Sequence, residues 1–331
     1  MTCRFFTRLN HRATCVIAAL GLSALSPVAL AQGAFPQKPI TLVVTYPPGG
    51  GADGMARLIA PKMGEALGQP VVIENKPGAS GQIGASAVAK ATPDGYTLML
   101  DASSFAANPA LYPKLPYDSL KAFKPIGVVA LFPNVVLVNA NFPAKNINEL
   151  MAAAHKSKDA VSYASSGNGS AQHLAGALFE SAAKVDMVHV PYKGGGPALN
   201  DVIGGQVPLF FGNLASTLQH VQSGKLKALA VTSAKRSAIL PEVPTLAESG
   251  VKGADIYEWN AVFAPAQTPD AVINKLAAAF QHALESPDVK ARIAQLGGDI
   301  QKSSPEQSKK FIEQQINLWG RVIKERNITT E

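Results

Sequence analysis

The chain has 331 residues, 47% of them hydrophobic and 16% charged, with a formal net charge of +7 at pH 7. That apolar content supports a packed core, and at this length a chain usually divides into two domains. Both cysteines, Cys3 and Cys15, fall in the first 31 residues, so the remainder can hold no disulfide, thiol nucleophile or cysteine metal site.

At the N-terminus, Arg4, Arg8 and Arg12 form a positive region, "CVIAALGLSAL" an apolar one, and Ala29-Leu30-Ala31 a small-x-small cleavage pattern. This predicts a signal peptide over 1–31, removed after Ala31, and a soluble protein exported to the periplasm. Arg-Ala-Thr before Cys15 lacks the residues of a lipoprotein signal. No later apolar run approaches the ~20 residues of a membrane helix. The signal holds three Arg and no acid, so the mature chain carries 27 Lys+Arg against 23 Asp+Glu, or +4. The lysines are scattered, as in "KSKDAVSY" and "KLKALAVTSAKR". That pattern is a solvated surface rather than a nucleic-acid footprint, and a mild positive field favours anionic ligands.

Apolar runs then alternate with helix-period stretches, which predicts an α/β fold with mainly parallel sheets. "ITLVVTY", "VVIENK" and "YTLMLDA" are predicted strands, with helices near 55–68 and 80–90. "IGVVAL" and "NVVLVN" follow as two strands separated by Phe132-Pro133. The rhythm restarts with strands "VSYAS", "MVHVPY", "VPLFFGN" and "LKALAVTS" and helices near 170–183, 197–204 and 215–223. "WNAVFAPA" is a returning strand, followed by helices near 269–284, 287–296 and 305–325. In the last of these, Phe311, Ile312, Ile316, Trp319 and Ile323 recur at helical spacing. Two βα sets joined by single strands suggest two lobes, 32–131 plus 253–331 and 132–252, with a ligand cleft walled by strand-to-helix loops.

Four such loops carry glycine or short polar residues. The first, Pro47-Pro48-Gly49-Gly50-Gly51-Ala52-Asp53, lets another group approach the backbone closely, with Asp53 expected as the helix N-cap. The others are Ser165-Ser166-Gly167-Asn168-Gly169-Ser170, then Lys193-Gly194-Gly195-Gly196, and Gly212-Asn213-Leu214-Ala215-Ser216. Amides at helix starts receive anions by geometry and dipole. Each loop alone is ordinary turn chemistry; four at corresponding strand ends make an anion site. No arginine lies in any of them and Lys193 is their one cation, so recognition would rest on neutral donors and bridging water.

Phosphate motifs do not fit. "GGGADGMAR" lacks the Gly-Lys-Ser/Thr of a Walker loop. Gly49-x-Gly51-x-x-Gly54 with Glu74 matches the dinucleotide pattern, but an exported protein seldom meets such a cofactor, and no cofactor is expected. Ser170 and His173 would suit a periplasmic hydrolase, yet "GNGSAQH" has no nucleophile elbow and no nearby acid. His189 alternates within a strand as a core histidine, and no histidine pair has metal-ligand spacing. Trp259 and Tyr257 precede the returning strand and suit either the cleft or the core.

The mature chain resembles the extracytoplasmic receptors of tripartite tricarboxylate transporters, the Bug family. The resemblance spans nearly all of 36–325 and rests on ordered blocks. They include "YPPGGGADGMARLIAPKMGEALGQPVVIENKPGASGQIGA", "ATPDGYTLML", "SYASSGNGSAQHLAGALF", "VPYKGGGPALNDVIGGQV", "PEVPTLAESG" and "FAPAQTP". It implies a non-enzymatic, two-lobed periplasmic binding protein of type II-like fold, working as a monomer. Such a receptor closes on a small carboxylate (a di- or tricarboxylate, an acidic amino acid or an aromatic acid) and presents it to membrane permease subunits or, alternatively, to a signalling partner. Carried onto this chain, it implies a ligand-binding set of Tyr46, Pro48, Gly49, Gly50, Gly51, Ala52 and Asp53 with Ser103 and Ser104 in the first lobe. The second lobe would supply Ser166, Gly167, Asn168, Gly169, Ser170, His173, Lys193, Gly194, Gly195, Gly196 and Asn213. Many relatives have Asp-Asn-Leu-Pro-Ser where this chain has Gly212-Asn213-Leu214-Ala215-Ser216. The missing acid argues against a ligand bearing an amino group.

Overall fold

A computed structural model describes residues 35–157 and 159–330; the predicted signal peptide lies outside them. The first βα set comprises β1 (Ile40–Val44), α1 (Gly51–Leu67), β2 (Val71–Asn75), a 3₁₀ turn at Ala79–Gly81, α2 (Gln82–Ala89), β3 (Thr97–Ala102) and α3 (Ser104–Leu111). The 17-residue strand β4 (Phe123–Asn139) and α4 (Ile147–Ala154) follow. The second set holds β5 (Ser162–Ser165), α5 (Ala171–Ala183), β6 (Val188–Pro191), α6 (Gly195–Ile203), β7 (Leu209–Asn213), α7 (Leu214–Gln222) and β8 (Leu226–Val231). The chain returns through β9 (Tyr257–Pro265) and closes with α8 (Asp270–Glu285), α9 (Pro287–Gln295), β10 (Asp299–Ile300) and α10 (Pro305–Glu325).

The strands form one curled mixed sheet in the order β2-β1-β3-β9-β4-β7-β5-β6, with β8 and β10 also paired to β4. Within each βα set the pairing is parallel, as helical crossovers require. The connecting strands β4 and β9 join everything antiparallel, an orientation the parallel-sheet expectation did not include. The expected break at Phe132-Pro133 is absent: β4 runs straight through. Its first part, Phe123 to Pro133, pairs with β9, and from Asn134 its partner becomes β7, with β8 joining from Val135. Proline, having no N–H to give a ladder, sits where one partner ends and the next begins. Thr232 ties this change-over to the returning chain. Its amide donates to the Asn134 carbonyl (2.9 Å), while Asn134 N donates to Thr232 Oγ1 (2.9 Å) and Ile256 N to the Thr232 carbonyl (3.1 Å).

Core packing follows the periodicity. Phe105, Phe123 and Phe263 cluster with ring centroids 4.7–6.1 Å apart. Ile312, Trp319, Val322 and Ile323 of α10 are buried, and the helix packs on α3, β4 and α5. Its start is fixed by a capping box between Ser304 and Gln307. Gly127 lets β4 pass under α8, since a Cβ there would lie 2.2 Å from the Phe280 ring. Beyond the expected elements the chain forms α3, α4 and β10; Pro109 inside α3 obscures its helical pattern.

Candidate functional site

The first glycine loop leaves β1 and turns into α1 exposed to solvent, with Gly50 N donating to the Pro47 carbonyl (3.4 Å). Pro47, Pro48, Gly49, Gly50 and Gly51 are exposed, Gly49 has φ +82°, and Gly50 is the N-cap, without a side-chain hydrogen bond. Asp53 is therefore not the cap it was expected to be. It sits in the first turn and faces inward, almost wholly buried. Its Oδ2 accepts from Gly49 N (2.9 Å) and Arg57 Nε (2.8 Å), and its Oδ1 from Asn75 Nδ2 (2.9 Å). The Arg57 bond, then the Gly49 amide and Asn75, hold its carboxyl well below the usual range despite burial. Asp53 thus braces the loop from behind and leaves the first amides of α1, which have no acceptor within the helix, facing outward.

Those amides open onto a cleft of about 830 Å³ lined by Tyr46 to Ala52, Ser103, Gln172, Asn213, Glu258 and Trp259, among others. Three helix starts meet at it: α1 behind Gly50, α3 behind Ser103, and α7, where Asn213 Oδ1 caps Ala215 N at 2.9 Å. Helix N-termini carry partial positive charge, each worth about 0.3–1 kcal/mol to a nearby anion. No Lys, Arg or His is among the described lining residues. Tyr46 closes one end, hydrogen-bonded through its hydroxyl to Ser104 Oγ, and burial pushes its phenol far up. Behind it Asp101 is fully buried, accepting from Thr45 Oγ1 (2.8 Å) and its neighbour's amide, Ala102 N (2.7 Å); burial raises its carboxyl to about 7.

A small hollow of about 10 Å³ adjoins the cleft, lined by Ser103, Ser104, Asn134, Gly169 and Glu258 among others. Of the second-lobe residues expected in the site, the structure brings Gly169 to this hollow and Asn213 to the cleft itself. Ser166 reaches the cleft at one remove, donating from Oγ to Oε1 of the lining residue Gln172 (2.6 Å). Gly167, Asn168, Ser170, His173, Lys193, Gly194, Gly195 and Gly196 line neither space. Lys193 is exposed, and Gly194 N donates to the Ser166 carbonyl (3.2 Å), joining those two loops.

The Gly-Asn-Gly-Ser loop is held by its own side chains. Ser165 Oγ accepts from Gly167 N (3.1 Å), and Ser170 Oγ caps α5 by accepting from His173 N (3.3 Å). His173 Nδ1 accepts from Gly169 N (3.1 Å), so the ring is neutral with its proton on Nε2. His189 stacks on it at 3.6 Å between centroids, its Nε2 2.6 Å from Ser165 Oγ. Burial lowers His173 to about 4 and, with His173 beside it, His189 to about 3. The Ser170 hydroxyl thus meets a backbone amide of residue 173 rather than its ring, which is not the pairing of a hydrolase. Among the described residues there is no cluster of His, Cys, Asp and Glu able to hold a metal.

Two further residues line the cleft: Trp259, for which the sequence left cleft and core open, and Glu258, which it did not mark. Trp259 is buried in the cleft wall, its Nε1 without a partner. Glu258, its neighbour on β9, lines both spaces, with Oε2 accepting from Asn213 Nδ2 at 3.3 Å. An acid interrupting an apolar returning strand was the signal available for it.

Residues 55–328 match the family model of the tripartite tricarboxylate transporter family receptor. The periplasmic binding protein BugD superposes with a TM-score of 0.75 at 39% identity, covering 89% of this chain and 99% of that one. MatC from Rhodopseudomonas palustris, solved with bound malate, gives 0.74 at 34% identity over 87% and 100% of the two chains. A second R. palustris protein, solved with adipate, gives 0.77 at 35% over 89% and 99%. The fold is that of two-lobed periplasmic binding proteins, and the chain belongs to the tripartite tricarboxylate transporter receptor family, in which Bug proteins are found.

Proposed function

We propose that this protein is a periplasmic receptor that captures a small organic carboxylate and presents it to the membrane subunits of a tripartite transporter. The observation that carries the proposal is the exposed first glycine loop, braced by Asp53, which turns the amides of α1 into a cleft without cationic side chains. Hydrogen bonds to a charged group contribute about 1.5–3 kcal/mol each. Three or four would therefore give micromolar binding, about −8 kcal/mol. The relatives solved with malate and adipate support the ligand class.

In this proposal the protein is exported by its signal peptide, cleaved after Ala31, and works as a monomer. Its lobes are 32–131 plus 253–331 and 132–252, and the Asn134–Thr232–Ile256 junction falls at their boundary. Hinge closure there would carry Ser166 to Ser170 and Lys193 to Gly196 toward a carboxylate seated on the amides of Gly51 and Ala52 at the start of α1. No covalent chemistry follows. A thermal-shift panel of dicarboxylates, tricarboxylates and aromatic acids tests the reading. Stabilisation without turnover supports it, whereas turnover lost in Ser170→Ala would replace it with a hydrolase.

A further inference from the structure

Glu258 is the one carboxyl among the described residues lining the cleft and its adjoining hollow, and no Lys, Arg or His stands with it. The titratable groups sharing these spaces are the phenols of Tyr46 and Tyr257. Glu258 Oε2 accepts from Asn213, and Oε1 is shut from solvent with no protein partner. Asn134, wholly buried beside the same hollow, has both side-chain polar atoms unpartnered. Burial raises the Glu258 carboxyl, and the Asn213 contact is the one interaction opposing it. A buried carboxylate without a counter-charge is costly, and a ligand that supplies one gains what the empty site lacks.

At Gly212, beside Asn213, a Cβ would lie 2.6 Å from Thr217 Cγ2 and 2.9 Å from the Phe210 ring, so β7 itself has no room for a side chain there. The fold delivers an acid to the neighbouring Asn213 from a different strand. An acid therefore reaches this part of the cleft although Gly212 carries none.

We propose that Glu258 is the specificity residue of the cleft, selecting a carboxylate whose opposite end carries an ammonium group over one ending in a second carboxylate. This rests on the carboxylate-receptor reading and narrows it. One end of the ligand takes the α1 amides; the other pairs with Glu258. A second carboxylate would meet like charge with no cation to screen it.

The test is calorimetric titration of the mature protein with ω-amino acids and α,ω-dicarboxylates of three to six carbons, alongside the matching alkylammonium ions. The ω-amino acids should bind at least about tenfold tighter than dicarboxylates of equal length. Glu258→Gln, which keeps the shape and can still accept from Asn213, should erase that preference. Glu258→Asp, with its acid drawn back by one methylene, should move the optimum to a longer ω-amino acid. Tighter binding of dicarboxylates by the wild type, or an unchanged preference in Glu258→Gln, would overturn the role of Glu258 while leaving the carboxylate receptor standing. Binding of alkylammonium ions with no gain from the carboxylate would overturn the receptor reading instead, and binding of no probe would overturn both.

Discussion

The first glycine loop and the Gly-Asn-Gly-Ser loop look alike in sequence, each a polar turn between a strand and a helix, yet they are built in opposite ways. Gly49 to Gly51 are exposed, and the loop's support comes from one carboxylate, Asp53, three residues into the helix. The second loop is bound internally by Ser165, Ser170 and a pair of stacked histidines, with Gly169 facing the hollow. The first spends the amides of Gly49 and Gly50 within the turn but leaves those that open α1, from Gly51 on, for the cleft; the other is a fixed wall whose donors are already engaged. A glycine-rich turn therefore indicates a receptor surface only when its amides are left unspent.

The sharpest way to break this contrast is Asp53→Ala. It removes three hydrogen bonds to a buried carboxylate, so denaturant unfolding should show a loss of about 2–4 kcal/mol, with carboxylate binding abolished in calorimetry. Arg57→Ala should be much milder, because that side chain is 56% exposed.

The second loop should respond to pH. Folded His173 and His189 hold their protons less tightly than the unfolded chain, whose histidines titrate near ~6.5. Their stabilising contribution is therefore complete above that pH and falls as pH drops toward about 4 and about 3. Each contributes a slope of up to roughly 1.4 kcal/mol per pH unit in that window. Asp101 and Glu180, both raised to about 7, act in the opposite sense, gaining stability as pH falls from there toward ~4. The decisive quantity is thus a difference. Unfolding free energies of His189→Gln should decline less steeply than wild type between pH 6.5 and 4; parallel curves would count against a neutral histidine wall.

Smaller effects separate the glycines. Gly49→Ala forces a side chain into the left-handed region at φ +82° and should cost about 1 kcal/mol. Gly51→Ala meets nothing within 4 Å and should leave stability within about 0.5 kcal/mol. Its methyl group sits at the mouth of the amide cluster, so its effect should appear in ligand affinity; equal affinity would move the anion away from α1.

Most of the βα rhythm was legible because strands such as Ile40–Val44 are continuous apolar runs buried almost throughout, whereas helices such as α10 bury one regular face. What escaped was set by distant contacts. Phe132-Pro133 looks like a break because proline weakens a ladder, yet β9 on one side and β7 on the other carry β4 across it. Asp53 has the residue type and position of an N-cap, but Gly49 N, Arg57 and Asn75 claim its carboxylate from three directions. Glu258 carries no motif. Its place in the cleft arises because β9 threads beside the end of β7, a neighbourhood visible only in three dimensions. Three of the four glycine segments are turns before helices, but Gly212 to Ser216 passes from the end of β7 straight into α7, and spacing could not tell which of the turns leaves its amides free.

The unbroken β4 also decides how this scaffold can be recombined. Proteins of modular build exchange parts at a flexible joint, where a cut disturbs little. Here any cut near residue 133 severs a strand that spans both halves of the sheet, and β9 is matched to it in a register with two irregularities. A one-residue slip would turn every inward side chain outward. Chimaeras with relatives of different ligand preference should therefore transplant β4 and β9 as an inseparable pair. Grafts confined to the loop between Tyr46 and Ala52 leave that spine untouched, whereas Asn213 is paired with Asn134 of β4 and contacts Glu258 of β9.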